Sequence, residues 1–315
     1  MRAVIFCAGS DGVCSMTIAY PPILDQLGRG PPVRLSPVGG GCIADARIAV
    51  FADGSAVFVK MLQGSSGMFE CEASGLRALA AAGAIRVPQV LAVGRDALVL
   101  EMIREGSKAQ GFFESFGRAF AHLHGRSGPA FGFPHDNFIG ATPQKNTPLA
   151  GSWDDLASGQ KQPDDGSAWP EFFLKRRLWF QVRLAVERGH GDELEQFLGR
   201  SENRIADLLG EAVEPPSLLH GDLWGGNYMV DERGEACLID PAVYYGHREA
   251  DLAMTRLFGG FDRAFYQAYE DVAPLQPGHE QRLPIYQLYH LLNHLNLFGR
   301  AYYSQCLRIL QHYSA

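Results

Sequence analysis

The stretch HGDLWGGNYMVDERGEACLIDP, residues 220–241, limits what this chain can become more than any other. Two short apolar runs, YMV and ACLID, flank a turn at Asp231–Gly234 and predict a tight hairpin. Polar side chains gather at its open end. Asp222 stands five residues before Asn227, and Asp240 follows thirteen residues after it. A curl in the loop turns Asp222 and Asn227 to one side, and the second strand returns Asp240 beside Asn227. A carboxylate and an amide oxygen form a hard donor pair suited to Mg²⁺.

These intervals match the needs of phosphoryl transfer from ATP. One carboxylate must orient and deprotonate the acceptor hydroxyl. An Asn and a second Asp must hold the metal on the phosphates, and a Lys locked by a Glu must steady them. Protein kinases place these groups in H-R-D-x-x-x-x-N followed by the Asp of Asp-Phe-Gly. Here HGDLWGGN keeps the Asp-to-Asn interval, and IDPA replaces Phe-Gly with Pro-Ala. We therefore expect Asp222 as the base, and Asn227 and Asp240 as metal ligands. His220 and Asp251 read as braces of the loop.

The remaining parts lie upstream. Residues 33–61 alternate glycine turns with β-rich runs and predict strand, glycine turn, strand, a hairpin at Asp53-Gly54, then strand. The turn Gly39, Gly40, Gly41 would let backbone N–H groups approach phosphates. Lys60 ends the last of these strands. Residues 68–83 read as a helix closed by Gly83, and its Glu72 can pair with Lys60; Glu70 points to another face. VPQVLAVGRDALVLEMI gives two more strands. The second ends at Glu101, Met102 and Ile103, where backbone groups of Glu101 and Ile103 would bind adenine. Phe113, Phe116, Phe120 and Leu123 then recur at helical spacing. Residues 125–168 read as loop, with the acidic part from Leu149 to Ala168 mobile. Helices are expected at 170–188, at 191–210 and over most of 249–312. The expected domains are 1–32, an N-terminal extension and first helix, with Met16 an alternative start; 33–103, a nucleotide-binding lobe; and 104–315, a catalytic lobe. The expected fold class is α+β: bilobal, protein-kinase-like, with a small β-rich N-lobe and a larger, mainly helical C-lobe.

Composition excludes several alternatives. Among 315 residues, 46% are hydrophobic and 20% charged, as in soluble globular chains. A formal charge of -7 gives no basis for binding nucleic acid or an anionic membrane. The six cysteines show no metal spacing and read as reduced thiols of a cytoplasmic protein.

The chain resembles the fructosamine-3-kinase (ketosamine-3-kinase) family, relatives of the aminoglycoside and choline phosphotransferases, from about Val33 to Leu310. The resemblance rests on GGGCI, VFVK, FECEASGLRALAAAGAIRVPQVL, GFPHDNFIGATPQKN, WPEFFLKRRL, HGDLWGGN, DPAVYYGHREADLAM, LFGGF and YQLYHLLNHLNLFG. Residues 1–16 and the acidic insertion 149–168 depart from the family pattern. The resemblance implies ATP and Mg²⁺ as cofactors. It also implies phosphorylation of the 3-hydroxyl of a ketoamine, a ribulosamine or fructosamine on a free amine or a glycated protein, leading to deglycation.

Acceptor residues are less constrained by the pattern. Trp224 could stack on the sugar or amine stem. His290, Asn293, His294 and Asn296 crowd an apolar helix and need polar partners, which a polyhydroxyl sugar could supply. Gln144 and Asn146 are further candidates. Cys42, beside the glycine turn, could be redox-active. Two other readings stay open: an aminoglycoside- or choline-type acceptor, favoured by Asp154, Asp155, Asp164 and Asp165, and a non-catalytic nucleotide-binding regulator. Oligomeric state is left open.

Overall fold

The computed structural model describes residues 19–39, 44–65 and 67–314. Gly40, Gly41 and Cys42, named above, lie outside them. The chain divides into two compact units. One runs to Ala73 and resumes over Pro88–Ile103; the other takes Ser74–Val87 and the chain from Arg104 onward.

The first unit is a five-stranded antiparallel sheet. Its strands are β1 (Arg34–Pro37), β2 (Asp45–Val50), β3 (Ala56–Met61), β4 (Val90–Gly94) and β5 (Ala97–Glu101), in the order β1-β2-β3-β5-β4. Strand alternation sorts the two faces. Val57, Val59 and Val99 point to one side, where Leu24 of a 3₁₀ turn (Pro22–Leu27) completes a core with Ala49, Phe51 and Ala92. Lys60 therefore faces the other way, in register with Leu98. Helix α1 (Met68–Ala82) follows β3.

The second unit is mainly helical. Its helices are α2 (Phe112–His124), α3 (Trp153–Ala157), α4 (Trp169–Phe173), α5 (Trp179–Glu187), α6 (Asp192–Gly210), α7 (Glu249–Leu257), α8 (Arg263–Val272), α9 (His279–Phe298) and α10 (Tyr303–Tyr313). A π-helical turn (Leu174–Leu178) joins α4 to α5. Three short two-stranded antiparallel ladders complete the unit: β6 (Asn137–Ile139) with β7 (Thr142–Gln144), β8 (Ser217–Leu219) with β11 (Tyr244–Gly246), and β9 (Tyr228–Val230) with β10 (Ala236–Leu238). The apolar stripe of α2 meets α8 through Phe116, Phe120, Phe265 and Tyr269. Gly117 permits that approach, since a Cβ there would lie 2.1 Å from the Phe265 carbonyl oxygen.

The acidic insertion, expected as loop, contains a short helix. Ser152 caps α3 by accepting from the Asp155 N–H, Leu156 is buried, and the Asp164 N–H reaches the Pro129 carbonyl at 3.0 Å. Asp164 and Asp165 each close a local turn by accepting the N–H two residues on. The charges that made the segment read as solvated loop are in part its turn-forming elements. Among the described residues no helix is long and apolar enough to cross a membrane.

Candidate active site

The loop after β8 is built from the backbone outward. Asp251, buried on α7, accepts the His220 N–H at 2.7 Å and the Gly221 N–H at 2.8 Å. Its Oδ2 also meets His124 Nε2 at 3.2 Å, and His124 Nδ1 meets the Tyr269 hydroxyl at 2.8 Å. Burial alone would raise the Asp251 pKa. The His124 hydrogen bond, the nearby imidazoles and the Gly221 N–H outweigh it and leave the carboxyl lowered. Asp251 is thus an anionic clamp on the turn, the brace expected from sequence.

His220 is the second brace. Its pKa is lowered by burial, against the pull of Asp251, so the ring is neutral. Nε2 donates to the Ile239 carbonyl at 3.0 Å, and Nδ1 accepts the Asp222 N–H at 3.3 Å. Gly221 has φ +83, and a Cβ there would fall 2.0 Å from the Ala242 carbonyl oxygen, so this turn admits only glycine. Together these contacts set the direction of Asp222.

Asn227 folds back on that residue. Its Nδ2 donates to the Asp222 carbonyl at 2.8 Å and approaches Oδ2 at 3.3 Å, which turns the amide oxygen away. The Asn227 carbonyl accepts the Ile239 N–H at 3.0 Å, which brings Asp240 alongside. Asp240 is exposed and has φ 53, the single non-glycine residue with positive φ among the described residues. Such backbone is held against its own preference, as functional turns often are. Asp222 is pushed well above the ordinary carboxylate range by burial first, then by the charges of Asp240 and Asp251.

This donor set fits a hard divalent cation. Two carboxylates disfavour each other, and a cation beside them reverses that balance. An amide oxygen and a carboxylate suit Mg²⁺, which commonly takes one or two protein ligands and completes its shell with phosphates and water. Among the described residues no three His, Cys, Asp or Glu side chains group as a metal site. Asn227 and Asp240 are the amide and carboxylate that stand together at this end of the hairpin.

The small unit has its own ion pair. Lys60 Nζ donates to Glu72 Oε1 at 2.6 Å, with both side chains largely buried. Glu70 is exposed, as helical spacing required. Gly39 is exposed at the end of the segment leaving β1. The adenine expectation is corrected at one atom: the Glu101 N–H donates to the Gln89 carbonyl at 2.8 Å, within the unit. Met102 is half-buried and Ile103 buried.

The acceptor candidates separate. His290 lies beside the base, its Nδ1 3.8 Å from Asp222 Oδ1. Trp224 is 40% exposed, its indole over Gly226 and edge-on to Phe258. His294 hydrogen-bonds the His290 carbonyl at 2.8 Å and packs on Phe258, Phe298 and Tyr302. Asn293 and Asn296 are buried and meet Gln181 of α5. Gln144 and Asn146 do not serve as expected. Gln144 donates to Asn137 and the Ala242 carbonyl and accepts from the Tyr289 hydroxyl. Asn146 donates to the His135 carbonyl and Asn137 and accepts from Arg177. Every polar atom of both amides is used inside the protein. They hold the backbone after Asp240 from behind, with Asn137 bonding the Val243 carbonyl at 2.7 Å.

Sequence reading missed Arg177 and Tyr289. The Arg177 guanidinium is fully buried, 4.1 Å over the Tyr244 ring, and bonds Asn146. Tyr289 ties α9 to Gln144 across 145 positions. Neither had a local signal, because their partners are distant in the chain.

A β-rich unit with a lysine–glutamate pair, and a helical unit presenting Asp, Asn and Asp from one loop and hairpin, define a kinase-like phosphotransferase of α+β class. The chain belongs to the fructosamine kinase family, whose model matches residues 23–315. It is similar to a protein of Synechocystis named a probable ketoamine kinase, 41% identical over 93% of this chain and 96% of that one. It is similar also to the chloroplastic protein-ribulosamine 3-kinase of rice (Oryza sativa subsp. japonica), 39% identical over 89% of this chain and 78% of that one. A crystal structure from Thermobifida fusca, named for fructosamine-3-kinase, superposes with a TM-score of 0.79 at 32% identity, covering 92% of this chain and 96% of that one.

Proposed function

We propose that this chain is an ATP-dependent ketoamine 3-kinase. It transfers the γ-phosphoryl group of ATP to the 3-hydroxyl of a ribulosamine or fructosamine adduct on an amine. Family membership supports the acceptor class. The observation that carries the chemistry is Asp222, fixed by Asp251 and His220 and paired with Asn227 and Asp240.

Asp222 accepts the proton of the acceptor hydroxyl. The rigid turn beneath it holds the carboxylate in one direction, and positioning accounts for much of such catalysis. Lys60, held by Glu72, steadies the phosphates. Asn227 and Asp240 would hold Mg²⁺, which when bound would supply neutralising charge to the phosphates. Gly39, at the end of the segment leaving β1, stands where a backbone N–H would face phosphate. Phosphate at C3 is a better leaving group than hydroxyl, so the product breaks down and frees the amine. We place the protein in the cytoplasm, with glycated amines or glycated proteins as its substrates.

The test is ATP turnover against a ribulosamine, a fructosamine, an aminoglycoside and choline, with Asp222→Asn as control. Turnover should be highest with the ketoamines and fall by at least ~10²-fold in the variant. Preference for the aminoglycoside or choline would assign a different acceptor. ATP binding without turnover of any of the four would assign a regulator.

A further inference from the structure

One buried donor beside Asp222 has nothing to bond. His290 is 3% exposed on α9, and its Nδ1 has no hydrogen-bond partner among the described residues. It stands 3.8 Å from Asp222 Oδ1, too far for a direct bond. The ring is not free to turn away. It packs 5.1 Å from the Tyr289 ring, Tyr289 is tied to Gln144, and the His290 carbonyl is engaged by His294. Buried polar atoms are rarely left unpaired, and those that are often face a ligand.

The state of the ring follows from its surroundings. Burial first, then His294 and Arg177, push its pKa down to about 3, so the imidazole is neutral and has a single N–H. When Asp222 is ionised to act as base, the nitrogen nearer the carboxylate carries that hydrogen, since a lone pair there would face an anion. Asp222 and His290 thus present an acceptor and a donor side by side. Their complement is a hydroxyl with an oxygen acceptor on the adjoining carbon. A ketoamine has this pair: the hydroxyl at C3 and the carbonyl at C2.

We infer that His290 Nδ1–H hydrogen-bonds the C2 carbonyl oxygen of the acceptor while its C3 hydroxyl faces Asp222, so that His290 selects for the keto group. This rests on the kinase reading above and specifies what the site recognises in that acceptor.

The experiment compares kcat/KM for a ribulosamine and for its analogue with a methylene in place of the C2 carbonyl, in wild type, His290→Leu and His290→Gln. Wild type should lose about ten- to a hundred-fold when the carbonyl is removed. His290→Leu should lose a similar factor on the ribulosamine and little on the analogue, with KM for ATP unchanged. His290→Gln, which keeps an N–H, should retain part of the preference. An equal loss on both compounds, or a wild type indifferent to the carbonyl, overturns the inference. If His290→Leu does not fold, the wild-type comparison and His290→Gln decide alone. Turnover of neither compound by wild type removes the kinase reading and this inference with it.

Discussion

Gly221 carries more of the site than its size suggests. The catalytic turn passes so close to the Ala242 carbonyl that a single methyl group would overlap it, and its φ of +83 disfavours any L side chain. We expect Gly221→Ala to lose about 1–3 kcal/mol or more of stability, read by urea denaturation. Turnover should fall further than stability explains, because Asp222 follows directly in the chain. An alanine variant with wild-type stability would show that the turn relaxes easily. His220 and Asp251 were readable from sequence as braces because they flank the motif. Gln144 and Asn146 were misread because a polar side chain in a sequence does not disclose whether its partner is a ligand or a residue far along the chain. Here it is the Ala242 carbonyl and Arg177.

Among the elements, the β9–β10 hairpin is held at its turn by Asp231. This buried carboxylate accepts the Arg233 N–H at 2.9 Å, the Glu235 N–H at 3.0 Å and Arg86 Nη1 at 2.7 Å. Burial alone would raise its pKa; the Arg86 bond and the two turn N–H groups bring it down to about 2. A depressed carboxylate stabilises the fold above its unfolded pKa, roughly 4, and that contribution is lost as pH falls toward the folded value. Tm measured from pH 5 to pH 2 should therefore fall more steeply in wild type than in Asp231→Asn. Equal slopes would mean that Asp231 does not sense folding. The π-helical turn makes a second prediction. It delivers Arg177 to Tyr244 and Asn146, contacts that depend on a planar guanidinium. Arg177→Lys should lower stability by about 1–3 kcal/mol in thermal or chemical denaturation despite keeping the charge. An unchanged midpoint would leave the stacking without energetic weight.

Which elements could be read from sequence followed from their length. The strands of the first unit, α1 and α2 have enough residues for alternation or helical periodicity to show, whereas the β9–β10 hairpin, with three residues per strand, showed through its turn residues and the polar motif around it. The ladders β6–β7 and β8–β11 also have three residues per strand, too few for any period; β6–β7 closes locally, with Ile139 opposite Thr142, while β8–β11 exists through long-range pairing. The π turn has no compositional mark, and helix α3 was hidden among acidic residues that read as solvent-exposed loop.

In the whole molecule, the division into units cuts α1 at Ala73, where a sequence reading would keep the helix whole. The reason is visible after the helix: the Arg86 carbonyl accepts the Leu238 N–H at 2.9 Å and its guanidinium binds Asp231, so the segment leaving α1 is bonded to the hairpin. The proposed chemistry centres on that hairpin and the loop before it, where Asn227 and Asp240 would hold a metal–nucleotide and Asp222 would act on the acceptor. The most direct test is Mn²⁺-nucleotide binding followed by electron paramagnetic resonance in wild type, Asp240→Asn and Asp222→Asn, with turnover measured on the same samples. Asp240→Asn should weaken metal–nucleotide binding by at least about tenfold, while Asp222→Asn should bind within a few-fold of wild type and yet lose turnover. Wild-type binding in Asp240→Asn, or full turnover in Asp222→Asn, would contradict the account.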